Sequence, residues 1–208
     1  MAETAFSALK RLIELLDSSV DAEEAARKLT VDGSPGRAFG MSCEDIMALT
    51  GMNRRAAEAI DLVDELCRYT GVEKFGPSPV LTDGERAKEY FSALLWGRHV
   101  EYCYIACLDK GGRLLRCEQL SRGDVGTSAV YMRDIARAAL ETGAAYAILA
   151  HNHPGGSLVP SREDLEVTAK AEETLALLGT KLLEHYIITS RGCAAILSGG
   201  TAGAKGKG

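Results

Sequence analysis

The sequence lacks any apolar run long enough to cross a membrane and any recognisable secretory signal. Its longest apolar stretches, such as Ala144 to Ala150, are far shorter than the roughly 20 residues that a membrane-spanning helix needs. The first residues, Met-Ala-Glu-Thr, have none of the positive charge, apolar core and small-residue cleavage site of a secreted precursor. We therefore expect a cytoplasmic protein that does not associate with membranes.

The six cysteines form no C-x-x-C pair, which excludes a zinc ribbon and a thioredoxin-like redox motif. In the cytosol their thiols are expected to be reduced. Cys103 and Cys107 lie in an apolar run at positions that share one face of a strand. We interpret them as buried structural residues and assign them no chemistry.

An excess of positive charge is also missing. The net charge is −5, and residues 1–70 hold 13 acidic and 8 basic side chains, so the remainder is neutral overall. Strong nucleic-acid binding depends on Lys and Arg side chains that displace counterions from phosphates. Nucleic acid is therefore the weaker candidate partner of this chain.

The pattern of the sequence changes along the chain and predicts two domains. Residues 1–70 have apolar residues at three- and four-residue steps and predict a small all-helical domain. Residues 71–82 concentrate Gly and Pro and predict a linker. Residues 83–198 alternate between strand and helix patterns, and residues 199–208, rich in Gly, Ala and Lys, predict a flexible tail.

Capping residues predict where the helices of the first domain begin. Ser19 or Asp21 begins the second helix, and Ser42 or Cys43 begins the third. The fourth helix is predicted over 54–69, with these residues facing inward: Ala56, Ala57, Ile60, Val63 and Leu66.

The second domain mixes strands and helices, which predicts an α/β fold with a mixed β-sheet flanked by helices. The predicted helices are 83–97, 130–142 and 161–179, and the predicted strands are 101–109, 112–118, 144–150, 181–189 and 193–198.

Two of the four histidines lie together, at His151 and His153, where a predicted strand ends. In an extended chain the side chains at i and i+2 point the same way, so both imidazoles can face one ion. Asp164 lies in the first turn of the next helix and can return to the site, because glycines and prolines bend the intervening loop. Two His and one carboxylate leave a fourth position for water, which is the pattern of catalytic zinc.

A simpler interpretation exists for part of this pattern. Ser161 followed three residues later by Asp164 is also a helix N-cap with its acidic partner. A pair of histidines in a turn is weak evidence when taken alone. The complete spacing, H-x-H-x7-S-x2-D, is much more restrictive than either half.

This spacing resembles the signature of the JAMM metalloproteases, which have the JAB/MPN fold. The wider context, Arg133-Asp134-Ile135 together with Ala150 to Gly156, is similar to the RadC-like branch of that family, and the resemblance covers 83–198. It implies a JAB/MPN, cytidine-deaminase-like sheet domain and a Zn²⁺ cofactor.

The resemblance also implies roles for individual residues. His151, His153 and Asp164 would be the zinc ligands, and Ser161 would lie beside the activated water and the developing oxyanion. The family uses an upstream glutamate as general base at the start of the first core strand, and here that position is Glu101. A carboxylate there can take a proton from water and pass it to the leaving amine.

Three other polar residues remain as alternatives. Glu118, at the end of the second strand, competes with Glu101 for the role of base, and His99 is a polar neighbour without an assigned role. Glu184-His185 resembles the Asp-His pair of RadC-like chains. His185 either orients a metal ligand or is a structural strand residue, and it is not assigned to the site.

Residues 43–69 loosely resemble the helix-hairpin-helix that precedes the catalytic domain in RadC-like proteins. Asn53 stands where that motif has its second glycine, whose backbone approaches a phosphate. Arg54 and Arg55 could touch phosphates, but the acidic surroundings favour packing or protein docking.

The leading hypothesis is a zinc-dependent metallopeptidase or isopeptidase with an unidentified peptide or protein substrate. The second is a RadC-like, DNA-associated binding protein whose metal site is vestigial or not a peptidase. The third is phosphodiester hydrolysis, which often uses two metal ions. Iron also accepts two His and a carboxylate, but zinc suits the water activation that Glu101 and Ser161 would serve.

Overall fold

The computed structural model describes residues 4–30, 40–95, 97–98, 100–123 and 128–199. The predicted tail, apart from Gly199, lies outside these residues. The described residues form two compact units, of which the first extends to Thr70 and also takes in Gly97 and Arg98. No helix in the described part of the chain is long and apolar enough to cross a membrane.

The described elements of the first unit are helices around one apolar cluster. Asp21 is the N-cap of the second helix and Ser42 that of the third, so each start falls on one of the two predicted residues. The cluster includes Leu9, Ile13, Leu29, Ile46 and Ile60. The helices are α1 (Ala5–Leu16), α2 (Ala22–Leu29), α3 (Cys43–Thr50) and α4 (Arg54–Glu73).

Helix α4 differs from its prediction in length and in its buried face. It runs to Glu73, and its last three residues, from Gly71 on, belong to the second unit, where Val72 packs against that unit's own apolar cluster. Leu66 was expected to face inward but is 56% exposed. In that half of the helix the buried side chains are Asp64 and Arg68, an ion pair at 2.6 Å that the apolar pattern does not reveal.

The second unit contains a mixed five-stranded sheet in the order β2-β1-β3-β4-β5, which confirms the predicted α/β fold. Strands β3 and β4 are parallel, and the other neighbouring pairs are antiparallel. The elements are α5 (Gly84–Leu95), β1 (Tyr102–Leu108), β2 (Leu114–Arg122), α6 (Ser128–Thr142), β3 (Tyr146–Asn152), α7 (Arg162–Leu177), β4 (Lys181–Thr189), β5 (Gly192–Ala195) and α8 (Ile196–Gly199).

Helices cover both faces of the sheet, and the alternation of β3 shows which residues face each layer. Ile148 and Ala150 belong to the apolar cluster that contains α5. Ala147 and Leu149 belong to the cluster that contains residues of α6 and α7. Because side chains alternate along a strand, His151 continues the second set and faces α7.

The predicted strand 193–198 is wrong in its second half, where the chain forms α8. The backbone N–H groups of Leu197 and Ser198 donate to the buried carboxylate of Glu184, at 2.7 and 3.0 Å. A carboxylate that accepts the first N–H groups of a helix stabilises its start. The acceptor lies in β4, so the local sequence gives no sign of it.

Candidate metal centre

The candidate site lies where β1 begins and β3 ends. Cys103 of β1 stands opposite His151 in the antiparallel ladder, and the parallel register places His151 beside Ile187 of β4. The chain then crosses to α7 and returns as β4. In such a β-α-β unit the helix begins at the edge where the strands end, which is where open α/β sheets bind ligands.

The three predicted ligands meet at this edge. The Nε2 atom of His151 lies 3.1 Å from Oδ1 of Asp164, and Nε2 of His153 lies 3.3 Å from Oδ2. The two Nε2 atoms are 2.9 Å apart. Donor atoms around one tetrahedral zinc ion stand roughly 3.3 Å from one another, so this group could hold a metal ion.

Burial differs across the group of three side chains. The His151 side chain is 2% exposed, whereas His153 and Asp164 are 15% and 13% exposed. One side of the group is therefore enclosed and the other reaches solvent. Among the residues that the structure describes, no second set of three His, Cys, Asp or Glu side chains is close enough to hold an ion.

Ser161 and Asp164 do form the helix cap that the simpler interpretation requires. The Ser161 N–H donates to Oδ2 of Asp164 at 2.7 Å, and the Asp164 N–H donates to Oγ of Ser161 at 3.1 Å. The same cap holds the Asp164 carboxylate against the two histidines. Capping and metal binding therefore do not exclude each other at these residues.

The Asp164 carboxyl group is strongly favoured in its ionised form. Partial burial raises its pKa, but the hydrogen bond and charge of His151 and the hydrogen bonds from Ser161 lower it more, so that the pKa lies well below its ordinary value. An ionised carboxylate between two imidazoles is the electrostatic arrangement that a divalent cation requires.

Glu101 directly precedes β1 at the same edge of the sheet. Its backbone carbonyl accepts a hydrogen bond from the Gly123 N–H at 2.8 Å. Burial raises the pKa of the Cys103 thiol, and the charges of Glu101 and Asp164 raise that pKa further. Both carboxylates are therefore near Cys103, the residue opposite His151. Cys103 and Cys107 are themselves buried, as predicted.

The alternative base, Glu118, is engaged elsewhere. Its carboxylate lies 2.8 Å from the guanidinium of Arg137 on α6 and 3.5 Å from that of Arg116. It stands opposite Ile105, two residues further along β1 than Cys103. His99 lies outside the described residues.

Two residues that were not assigned to the site contact it closely. Nε2 of the buried His185 lies 2.8 Å from Nδ1 of His151, and Nδ1 of His185 lies 2.6 Å from the hydroxyl of Thr168. Burial, and then the charge of His151, lower the pKa of His185 well below its ordinary value, so its ring is neutral. His185 could have been found from the sequence, because the Glu184-His185 pair resembles the Asp-His pair of RadC-like chains. Nothing in the local sequence pattern identifies Thr168.

Comparison with known proteins gives a consistent result. Residues 81–201 match the RadC-like JAB domain family. A UPF0758 protein of Neisseria meningitidis serogroup C is 32% identical over 181 residues, which cover 86% of this chain and 80% of the relative. UPF0758 proteins of Bordetella petrii and Janthinobacterium are 34% and 35% identical, covering 72% and 75% of this chain and 67% and 70% of the relatives. These names state no reaction.

Proposed function

Because the chain belongs to the RadC-like JAB domain family, we propose that it is a zinc-dependent hydrolase of peptide or isopeptide bonds. The observation that carries this proposal is the convergence of His151, His153 and Asp164 within 2.9–3.3 Å of one another. In the proposal these three side chains hold the metal ion and leave one position on the solvent side.

Zinc in such a site polarises a carbonyl group and makes water acidic enough to lose a proton near neutral pH. The protein must then supply a group that accepts this proton and returns it to the leaving amine. Glu101 is the candidate, because it is half-buried at the start of β1 and its charge acts on Cys103, as does that of Asp164. General acid–base assistance of this kind accelerates a reaction by about 10²–10⁴-fold.

Ser161 is proposed to stabilise the substrate oxygen as it becomes negative. Its Oγ accepts the hydrogen bond of the Asp164 N–H, so its own hydroxyl hydrogen can point to a substrate. The side chain is exposed, and it is fixed by the first turn of α7 rather than by a loop. A donor that is held in place before the reaction costs no reorganisation during it.

The contacts of the first unit argue against DNA as its partner. The Asn53 N–H, at the predicted phosphate-facing turn, donates to the buried carboxylate of Asp17 at 2.7 Å. Arg54 lies 3.1 Å from Glu44 and 3.7 Å from Glu58. Hydrogen bonds from Ser19 and Asn53 lower the pKa of Asp17, and its negative charge would repel a phosphate. The helix-hairpin-helix stays a prediction.

Metal content tests the proposed ligands. Protein purified without added metal is analysed for zinc as wild type, His153→Ala and Asp164→Asn, the last of which keeps an oxygen that can accept the Ser161 hydrogen bond. Glu163→Gln is the matched control, because it is an exposed carboxylate in the same helical turn. We expect about one zinc per chain in wild type and control, as for a single catalytic site, and little in the two ligand variants. Absence of metal from all four proteins would rule out the proposal.

The reaction is tested with a pool of peptides and isopeptide-linked conjugates, in which hydrolysis appears as new free amines. Loss of hydrolysis in His153→Ala and on chelation, with recovery on adding zinc, would support a metallopeptidase. Chelator-sensitive cleavage of DNA with no new amines would favour phosphodiester hydrolysis instead. Salt-sensitive DNA binding without either cleavage would favour the DNA-associated alternative.

A further inference from the structure

A buried chain of side chains connects one proposed metal ligand to the backbone of another. His151 contacts His185, and His185 contacts Thr168, at 2.8 and 2.6 Å. The Thr168 hydroxyl in turn lies 2.6 Å from the backbone carbonyl oxygen of Asp164. All three linking side chains are buried, each with 2% of the residue exposed.

The last contact, between Thr168 and the Asp164 carbonyl oxygen, determines which atom donates in each hydrogen bond of this series. The carbonyl oxygen of Asp164 carries no hydrogen, so the Thr168 hydroxyl must donate to it. The Thr168 oxygen therefore accepts from Nδ1–H of His185. A neutral imidazole has one N–H and one acceptor nitrogen, so Nε2 of His185 accepts from Nδ1–H of His151.

This direction determines what His151 offers to a metal. With a hydrogen on Nδ1, the ring leaves Nε2, the atom that lies 3.1 Å from the Asp164 carboxylate, as the nitrogen whose lone pair can go to a metal ion. The opposite direction would put the hydrogen on Nε2 and block coordination. We infer that His185 and Thr168 are a positioning pair that holds His151 in its metal-binding tautomer; the inference rests on the proposed zinc site.

The second histidine ligand is oriented independently. Nδ1 of His153 lies 2.9 Å from the backbone carbonyl oxygen of Ser157, to which it must donate, so Nε2 is again the nitrogen left for a metal ion. That contact is in the exposed loop before α7. Changes to His185 or Thr168 should therefore alter the tautomer of His151 and leave that of His153 unchanged.

Thr168 offers a matched pair of substitutions. Thr168→Ser keeps the hydroxyl, whereas Thr168→Val keeps the branched shape and removes it. Without that acceptor, a buried Nδ1–H on His185 would be unsatisfied, which is unfavourable. The hydrogen of His185 should then move to Nε2 and donate to Nδ1 of His151, so that Nε2 of His151 becomes protonated.

The test is nitrogen NMR of metal-free protein labelled with ¹⁵N-histidine, followed by zinc binding in competition with a chromogenic chelator. We expect a hydrogen on Nδ1 of His151 in wild type and Thr168→Ser, and an Nδ1 without hydrogen in Thr168→Val. Zinc affinity should fall about 10–100-fold in Thr168→Val, as is usual when a group that orients a metal ligand is lost, and change little in Thr168→Ser.

Two results would overturn the inference. One is an Nδ1 of His151 that carries no hydrogen in metal-free wild type, and the other is equal zinc affinity of the two Thr168 variants. If wild type binds no zinc, the proposed function fails, but the NMR measurement still decides the direction of the hydrogen bonds because it uses metal-free protein. Unchanged resonances of His153 are the internal control for the fold of the site.

Discussion

The side-chain carbonyl of Asn152 accepts a 2.8 Å hydrogen bond from the backbone N–H of Tyr102, a residue 50 positions earlier in the chain. The Asn152 amide also donates to the carbonyl of Val100 at 2.9 Å. One buried side chain therefore binds the backbone on both sides of Glu101. It lies between the two proposed histidine ligands, and so it connects the ligand strand to the segment of the proposed base.

We expect Asn152→Ala to impair hydrolysis more than metal binding. Loss of both hydrogen bonds should let the segment around Glu101 move, and a displacement of about 1 Å can cost about 100-fold in rate. The measurement is amine release from the peptide pool, compared with zinc content. Gln119→Ala is the control, because it removes an exposed amide from the neighbouring strand β2. Parallel loss of zinc and activity in Asn152→Ala would contradict this role.

Glu101→Gln should retain zinc and lose hydrolysis. The amide cannot accept the proton, so we expect a fall of about 10²–10⁴-fold in kcat. Glu118→Gln is the matched variant, since its carboxylate pairs with Arg137 and Arg116, and its rate should stay near that of wild type. A greater loss in Glu118→Gln than in Glu101→Gln would reassign the base.

Two substitutions of Ser161 should separate its capping and catalytic roles. Replacing a capping serine by alanine costs about 1 kcal/mol of stability, whereas glycine costs only a few tenths. We expect Ser161→Gly to unfold close to the wild-type temperature and Ser161→Ala to unfold lower. Both should lose about 10²–10³-fold in kcat, because both lack the proposed oxyanion donor. Normal turnover by Ser161→Gly would show that Ser161 caps α7 and has no role in the reaction.

The Asp17 carboxylate should stabilise the first unit in a pH-dependent way. Hydrogen bonds from the Ser19 side chain, the Asn53 N–H and the Ser19 N–H lower its pKa in the folded protein, while in the unfolded chain it is about 3.9. Its contribution is therefore fully present above about pH 4 and is lost as the pH falls through the lower, folded pKa.

Amide hydrogen exchange of Ser19 and Asn53 measures this contribution directly. At pH 7, Asp17→Asn should exchange faster than wild type at both amides, and Glu14→Gln, an exposed control on α1, should not. In wild type, unfolding by urea should become easier as the pH drops below 4. If the difference in resistance to urea between wild type and Asp17→Asn stays constant down to pH 2, the charge of Asp17 does not contribute to stability.

The features that were predictable from sequence are those carried by short-range patterns. The succession of strand and helix patterns, the cap at Ser161 and the H-x-H spacing each depend on neighbouring residues, and together they predicted the α/β fold and the candidate ligand group. One error arose where a distant group decides: residues 196–199 form α8, and Glu184 of β4 accepts the N–H groups of Leu197 and Ser198. The other arose within α4, where the ion pair of Asp64 and Arg68 takes the buried positions and Leu66 is exposed.

The sequence by itself therefore predicted which residues could hold a metal ion, because the H-x-H spacing at the end of a strand and a carboxylate in the first turn of the next helix bring His151, His153 and Asp164 to one edge of a sheet. Only the tertiary structure decided how they are oriented. Thr168 meets His185 from 17 positions away, His185 meets His151 from 34, and Asn152 reaches Tyr102 from 50. Such hydrogen bonds require exact side-chain placement in a packed interior, and this placement exists only once the β3-α7-β4 unit has closed on β1.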